Sequence, residues 1–283
     1  LMSLTPEQLE LRCPHTGLSM APPGAGLTED QLAVRRFRLT GSKVAWALGY
    51  NDYDSPSRLW RIDMGLERQE VNEDMWFGNV IEDAIAQLAQ RRLVDMFPDR
   101  GFGTMFRPGS IFHSYHVAWW VTHPDRIFPL AQTALQIKNH DPALAKVLYK
   151  AQPQDHGQDN NVVPVAEQMQ CLWEWEAVAS WMADAPAWRE WWLGVYLGGT
   201  RLRLYRMVRN PKLLDGMVKA GFQWWRSHLN PSGPQSEPSD EIWLRRMERR
   251  EAEPQSRAPQ FGADERETAR RGVQSLDGLL PGV

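Results

Sequence analysis

Cysteine is scarce in this 283-residue chain: Cys13 and Cys171 are the only two, too few and too widely spaced for a disulfide framework or a zinc site. No apolar run approaches the roughly 20 residues needed to span a bilayer. The N-terminal stretch lacks the charged-then-apolar pattern of a signal segment, so the expected compartment is the cytoplasm. A surplus of positive charge is missing as well, with 32 Lys and Arg against 35 Asp and Glu and a net charge of -3. That excludes a uniformly basic nucleic-acid coat, although a local basic groove is compatible with a mildly acidic total. No internal repeat is visible. What the chain does have is tryptophan, 14 in all, in pairs such as Trp119-Trp120 and Trp191-Trp192 inside apolar runs. Their placement predicts core packing, with some left over for stacking on bases.

The order of elements points to one α/β domain with helices flanking a mixed sheet. A short helix is expected at Glu7–Leu11, followed by a Pro/Gly connector around Pro22-Pro23-Gly24. A second starts at the capping pattern Thr28-Glu29-Asp30 and runs to Arg35 and Arg36. Thr40-Gly41-Ser42 caps the next, which spans Lys43 to Leu48. Residues 75–97 form the clearest helix of the first half, with Ile81, Ala84, Ile85 and Leu88 at helical spacing and Pro98 as the stop. Strands are expected within Ile111–Thr122 and over Leu135–Lys138, then a polar loop at 151–163 and a long helix from Pro164 to about Met182. Trp191–Leu197 and Arg201–Val208 flank Gly198-Gly199 as a hairpin, and a last packed helix runs from Pro211 to His228. The domain division is therefore an extension at 1–27, a domain at 28–230 and a polar, largely disordered tail at 231–283 with a helix at 240–251.

Chemistry concentrates between Asp125 and Lys138. In a strand, alternation puts Gln136 and Lys138 on one face and Leu135 and Ile137 on the other. Asp125, read as ending the preceding strand, converges on the polar face across a hairpin. An acid, a second oxygen ligand and a lysine meeting at one point suit phosphodiester hydrolysis. Oxygen donors hold Mg²⁺, the metal lowers the pKa of a bound water, and lysine orients that water or stabilises developing charge. By themselves the three residues also read as a turn aspartate and a solvated strand.

The wider context resembles a known family. Thr40 to Gly49, Ser55 to Trp60, Met75 to Glu82, His123 to Ile127, Gln136 to Lys138, Gln168 to Gln170, Leu197-Gly198-Gly199 through Arg206, and Phe222 to Trp225 occur in the order found in YqaJ-type viral recombinases. That family includes the lambda-type alkaline exonucleases of the PD-(D/E)XK nuclease superfamily, and the similarity covers about residues 30–230. The resemblance implies a restriction-endonuclease-like core. It also implies a metal centre of Glu82, Asp125, Gln136 and the backbone carbonyl of Ile137, with Lys138 as catalytic lysine. Gln168 takes the place of the glutamine that supports the lysine and the water. Arg35 and Ser42 resemble the family's pocket for a 5′-terminal phosphate, chemically sensible because arginine grips phosphate in a bidentate way; Arg36 and Arg38 are nearby substitutes. The plain structural readings are a solvated helix charge for Glu82, a helix-forming glutamine for Gln168 and a simple N-cap serine for Ser42.

Two positions depart from the family's pattern. Glutamate is usual where Gln136 stands, so the centre has one negative charge fewer. A tyrosine is common where Val165 stands. Glutamine at the glutamate position does occur among nucleases of this superfamily, and an active enzyme is the expected outcome. The implied function is a Mg²⁺-dependent (Mn²⁺ substituting) exonuclease acting 5′-to-3′ on duplex DNA ends in phage-type recombination. An inactive DNA-end-binding scaffold on the same fold and a site-specific endonuclease are the alternatives. The implied partners are double-stranded DNA ends, a single-strand annealing protein and further copies of the chain, as trimers in relatives.

Overall fold

The structure, a computed structural model, describes residues 11–12, 19–20, 27–69, 73–109, 111–114, 117–140, 163–181, 190–197, 201–207 and 209–252. The chain divides into the units Leu1–Glu248 and Arg249–Val283, the second described only to Ala252. Most of the expected helix at residues 7–11, the loop at 151–162 and the Gly198-Gly199 turn lie outside the described residues. Leu11 itself pairs with Met20 in a small two-stranded sheet, β1 (Leu11–Arg12) with β2 (Ser19–Met20).

Helix starts follow the caps read from the sequence. α1 spans Glu29–Arg35, and Thr28 closes a reciprocal capping box with Gln31. α2 spans Gly41–Ala47, with the Thr40 hydroxyl accepting from the Lys43 amide. α3 is Pro56–Asp63, with proline in the first turn. α4 is the 24-residue helix Glu73–Met96, which stops just before Pro98. The stretch 111–122 is two short strands, β3 (Phe112–His113) and β4 (Val121–Thr122), paired antiparallel.

The main sheet has the order β5 (Arg126–Phe128), β6 (Thr133–Asn139), β7 (Glu190–Tyr196), β8 (Leu202–Met207). β6 and β7 are parallel; the outer pairs are antiparallel, so the sheet is mixed. α5 (Val165–Trp181) makes the crossover between the parallel strands, α6 (Pro211–His228) follows β8, and α7 spans Glu241–Ala252. Asp125 differs from expectation in one respect: it stands immediately before β5 rather than at the end of β4. Because Arg126 pairs with Leu135, Asp125 lies across the β5–β6 hairpin from Gln136.

Strand alternation sorts the core into two layers. Leu135, Ile137, Trp192, Leu202 and Leu204 pack with Ile85, Ala86, Ala89 and Leu93 of α4 on one face. Ala134, Trp191, Leu193, Val195, Tyr205 and Met207 pack on the other face with α2, α5 and α6. Adjacent tryptophans thus serve opposite layers: Trp191 and Trp192 are both 0% exposed. Trp119, Trp120, Trp173 and Trp225 form one aromatic cluster, the Trp120 and Trp173 rings 4.2 Å apart. Core packing therefore accounts for most of the described tryptophans.

Residues 231–248 belong to the first unit, where the composition had suggested a polar tail. Polar side chains dock this segment. Asp240 accepts from the Ser57 amide (2.8 Å) and hydroxyl (2.6 Å), Glu237 pairs with Arg61 (2.8 Å), and Arg246 pairs with Asp52 (2.8 Å). The Trp243 indole donates to the Asn51 carbonyl at 3.0 Å. Such specific partners do not register in composition.

Candidate active site

β5 and β6 bring the central residues together. One carboxylate oxygen of Asp125, Oδ2, accepts from Gln136 Nε2 and from the Ile137 backbone N–H, each at 2.7 Å. The Gln136 side chain is 5% exposed, and its Oε1 is buried without a hydrogen-bond partner. A buried orphan acceptor costs free energy unless something fills it. An amide oxygen next to a carboxylate is a donor set suited to a hard cation.

Burial, then the charge of Glu82, push the Asp125 carboxyl up to about 7; the Ile137 amide, Lys138 and Arg126 pull it the other way. Glu82 comes from α4 and is held by two arginines, Arg126 Nη1 at 2.8 Å and Arg107 Nη1 at 3.7 Å. Arg126 is itself 3% exposed, contacts Asp83, and donates to the Asp125 carbonyl at 2.5 Å. Among the described residues no group of three or more His, Cys, Asp or Glu is arranged to hold a metal ion. The expected set of Asp125, Gln136, the Ile137 carbonyl and Glu82 contains only two carboxylates. The orphaned Gln136 oxygen fits it to a cation, while the arginines on Glu82 weaken it.

Lys138 Nζ donates to Gln170 Oε1 at 2.6 Å. The glutamine on the lysine is thus Gln170 and not Gln168, whose amide donates to the Val163 carbonyl at 2.7 Å. Two residues along a helix turn the side chain about 200°, so only one of the pair can face β6. Gln170 Nε2 continues to Glu174 Oε1 at 3.0 Å. Glu174 is 3% exposed and rests against α2, where a Cβ on Gly41 would lie 2.3 Å from its Oε1. Burial, then the charge of Asp125, raise its carboxyl to about 8. His140 Nε2 and Glu167 Oε1, 3.1 Å apart, make a further contact between the end of β6 and α5.

Arg35, at the end of α1, donates from Nη2 to the Ser42 hydroxyl at 3.4 Å. Ser42 is exposed, and Arg35 lies close enough to Glu174 and Asp125 to feel their charges. Arg36 and Arg38 are tied to backbone carbonyls, of Asp63 and of Val34 and Ala118. Lys43 braces the α1–α2 corner by donating to the Arg35 carbonyl (3.1 Å) and to Asp63 (2.5 Å). Toward the start of α4, more than a turn before Glu82, Trp76 and Phe77 are 61% and 48% exposed.

Sequence reasoning missed Arg126, Gln170 and Glu174. For the last two a signal existed: glutamine and glutamate four residues apart inside the apolar run Met169–Val178 must find partners when that helix is buried. Arg126 had none, since its partners come from α4.

A mixed sheet with helices on both faces, Asp125 just before β5 and Lys138 on β6, is an arrangement of the PD-(D/E)XK fold type. Residues 30–175, just over half of the chain, match the YqaJ-like viral recombinase domain, and the chain belongs to that family. The alkaline exonuclease LHK-Exo from Laribacter hongkongensis, in its complex with dAMP, superposes with a TM-score of 0.51 at 13% identity over 80% of this chain and 98% of that one. A second LHK-Exo structure gives 0.49 at 14% identity over the same shares. A phage-related exonuclease from Haemophilus somnus 129PT gives 0.43 at 11% identity, over 66% of this chain and 93% of that one. No curated protein matches. No described helix is long and apolar enough to cross a membrane.

Proposed function

We propose that this chain is a metal-dependent deoxyribonuclease that shortens duplex DNA from its ends, 5′-to-3′. The observation that carries the reading is the convergence of Asp125, the orphaned Gln136 oxygen and Lys138 on one sheet face. Asp125, Gln136 and the Ile137 carbonyl, with Glu82, would hold Mg²⁺ or Mn²⁺, which when bound polarises the phosphate and acidifies a water.

The rest of the chemistry falls to the chain. Lys138 spends one of its N–H donors on Gln170 and keeps the others for a non-bridging phosphate oxygen or the attacking water. Arg35 and the exposed Ser42 hydroxyl offer donors for the phosphate of a DNA 5′ end, and this contact sets which end enters. Trp76 and Phe77 present ring faces on which unpaired bases stack. In hydrolysis, water oxygen bonds to phosphorus, the P–O3′ bond breaks, and a proton returns to the leaving oxygen.

Linear 5′-phosphorylated duplex incubated with the protein and Mg²⁺ or Mn²⁺ is expected to shorten, while closed circles survive. Intact linear DNA under both metals sinks the proposal. Lys138→Ala should abolish turnover; near-wild-type activity would remove the lysine from the mechanism.

A second reading, a DNA-end-binding protein with a weakened centre, draws on the two arginines that neutralise Glu82. It predicts end binding without shortening, and Gln136→Glu would then restore metal binding in calorimetry.

A further inference from the structure

We infer that Glu174 is a positioning residue that fixes the Gln170 amide and, through it, the Lys138 ammonium; as a role in turnover this rests on the nuclease reading. A primary amide has two ends of the same shape and opposite hydrogen-bonding sense. Lys138 only donates, and it meets Gln170 Oε1 at 2.6 Å. Glu174 Oε1 accepts from the other end at 3.0 Å. With the amide reversed, NH₂ would face an ammonium and a carbonyl would face a carboxyl oxygen. Lys138, which cannot accept, selects the orientation, and Glu174 Oε1 fastens the other end of the amide by accepting from it. Gln170 and Glu174 are 8% and 3% exposed, so the contact between them is closed to solvent, and the Lys138 contact is partly buried.

The surroundings of Glu174 support this role. Its Oε2 is buried with no hydrogen-bond partner, the place for a carboxyl proton, while Oε1 remains an acceptor for Gln170. Burial and the neighbouring Asp125 favour that neutral form. Gly41 is the concession α2 makes, since any side chain there would strike Glu174. For stability alone the carboxyl gains little: it satisfies Gln170 Nε2 but leaves its own Oε2 orphaned, whereas an apolar residue of similar size would remove that orphan and leave Gln170 Nε2 in its place. Its position also joins the two ends of the site, because Glu174 rests against Gly41, the neighbour of Ser42.

The test uses the full chain and the variants Glu174→Leu and Glu174→Gln. The readouts are thermal midpoint, kcat and KM on 5′-phosphorylated duplex with Mg²⁺, and the acetylation rate of Lys138, read by mass spectrometry without metal or DNA. Glu174→Leu is expected to melt within about 3 °C of the parent. Its kcat should fall by about tenfold or more with KM held within about twofold, and Lys138 should acetylate several-fold faster. Glu174→Gln keeps an acceptor and should bring turnover and labelling back toward the parent. Parental kcat and labelling in Glu174→Leu overturn the inference, as does a Glu174→Gln variant as defective as Glu174→Leu. If Glu174→Leu does not fold, Gln170→Met removes both the Glu174 and the Lys138 hydrogen bonds of the amide, and unchanged Lys138 labelling in it is equally fatal. If the parent cleaves nothing, the nuclease reading fails on its own while labelling still decides the positioning.

Discussion

Arg126 Nη1 lies 2.8 Å from Glu82 Oε1 with Arg126 almost fully buried, so a guanidinium holds the α4 carboxylate beside Asp125. The arginine also bonds the Asp125 carbonyl and contacts Asp83. It fastens α4 to the sheet edge at the point where the chemistry sits.

Arg126→Ala should therefore be costly. It leaves Glu82 with Arg107 alone, 3.7 Å away, and takes the nearer guanidinium from beside Asp125; breaking a buried pair typically costs about 3–5 kcal/mol, and the partly exposed Glu82 puts this one toward the lower end. Urea denaturation is the measurement, and a loss below about 1 kcal/mol would mean the pair contributes little to holding α4.

Gln136→Glu adds a third carboxylate at a contact where Gln136 Nε2 now donates to Asp125 at 2.7 Å. Without metal, two acceptor groups would meet, and the variant should be less stable than the parent by about 1–3 kcal/mol. With Mg²⁺ the order should reverse in affinity: calorimetry should find binding tighter by about tenfold, one charge closer to what a hard cation prefers. Equal affinity in parent and variant would show that residue 136 is not a ligand.

Stability should fall as pH rises from about 5 to about 8, and Glu174 is one named cause. An unfolded glutamate ionises near 4.5, whereas the folded one keeps its proton to about 8. Between those values the folded state binds more protons, so each rise in pH favours unfolding. Glu174→Gln has no proton to lose, and its stability should decline less steeply across that window. Parallel pH curves for the two proteins would remove Glu174 as the source. Asp125, raised to about 7, contributes a second component of the same sign that the variant retains.

Glu190 supplies a control remote from the site. It is 6% exposed, accepts from Arg100 Nη2 at 2.6 Å and from the Trp192 indole at 2.8 Å, and lies opposite Thr133 in the β6–β7 register. Lys138 pairs five residues further along, about 16 Å away at strand rise. Glu190→Ala should cost about 3 kcal/mol of stability, while the folded fraction keeps its turnover to within about twofold. A large loss of kcat in fully folded protein would show that the two ends of the sheet are coupled.

The sequence alone determined the elements and the strand chemistry of Asp125, Gln136 and Lys138. Caps at Thr28 and Thr40, helical spacing from Ile81 to Leu88, and period-two alternation at Leu135–Lys138 are local signals, written within a few residues of where they act. They placed α1, α2, α4 and the polar face of β6 and, with the ordered motifs, the PD-(D/E)XK class. Only the tertiary structure decided what those residues touch. Gln170 rather than Gln168 meets the lysine because α5 presents one face to β6, and that rotation is set by packing of Trp173 and Leu172 rather than by the glutamines. Arg126 finds Glu82 across 44 residues, Glu174 finds Gly41 across 133, and Asp240 finds Ser57 across 183. Such long-range contacts carry no periodicity along the chain; the polar ones form because burying one partner obliges the fold to supply the other, and the Gly41 contact because the buried glutamate needs room.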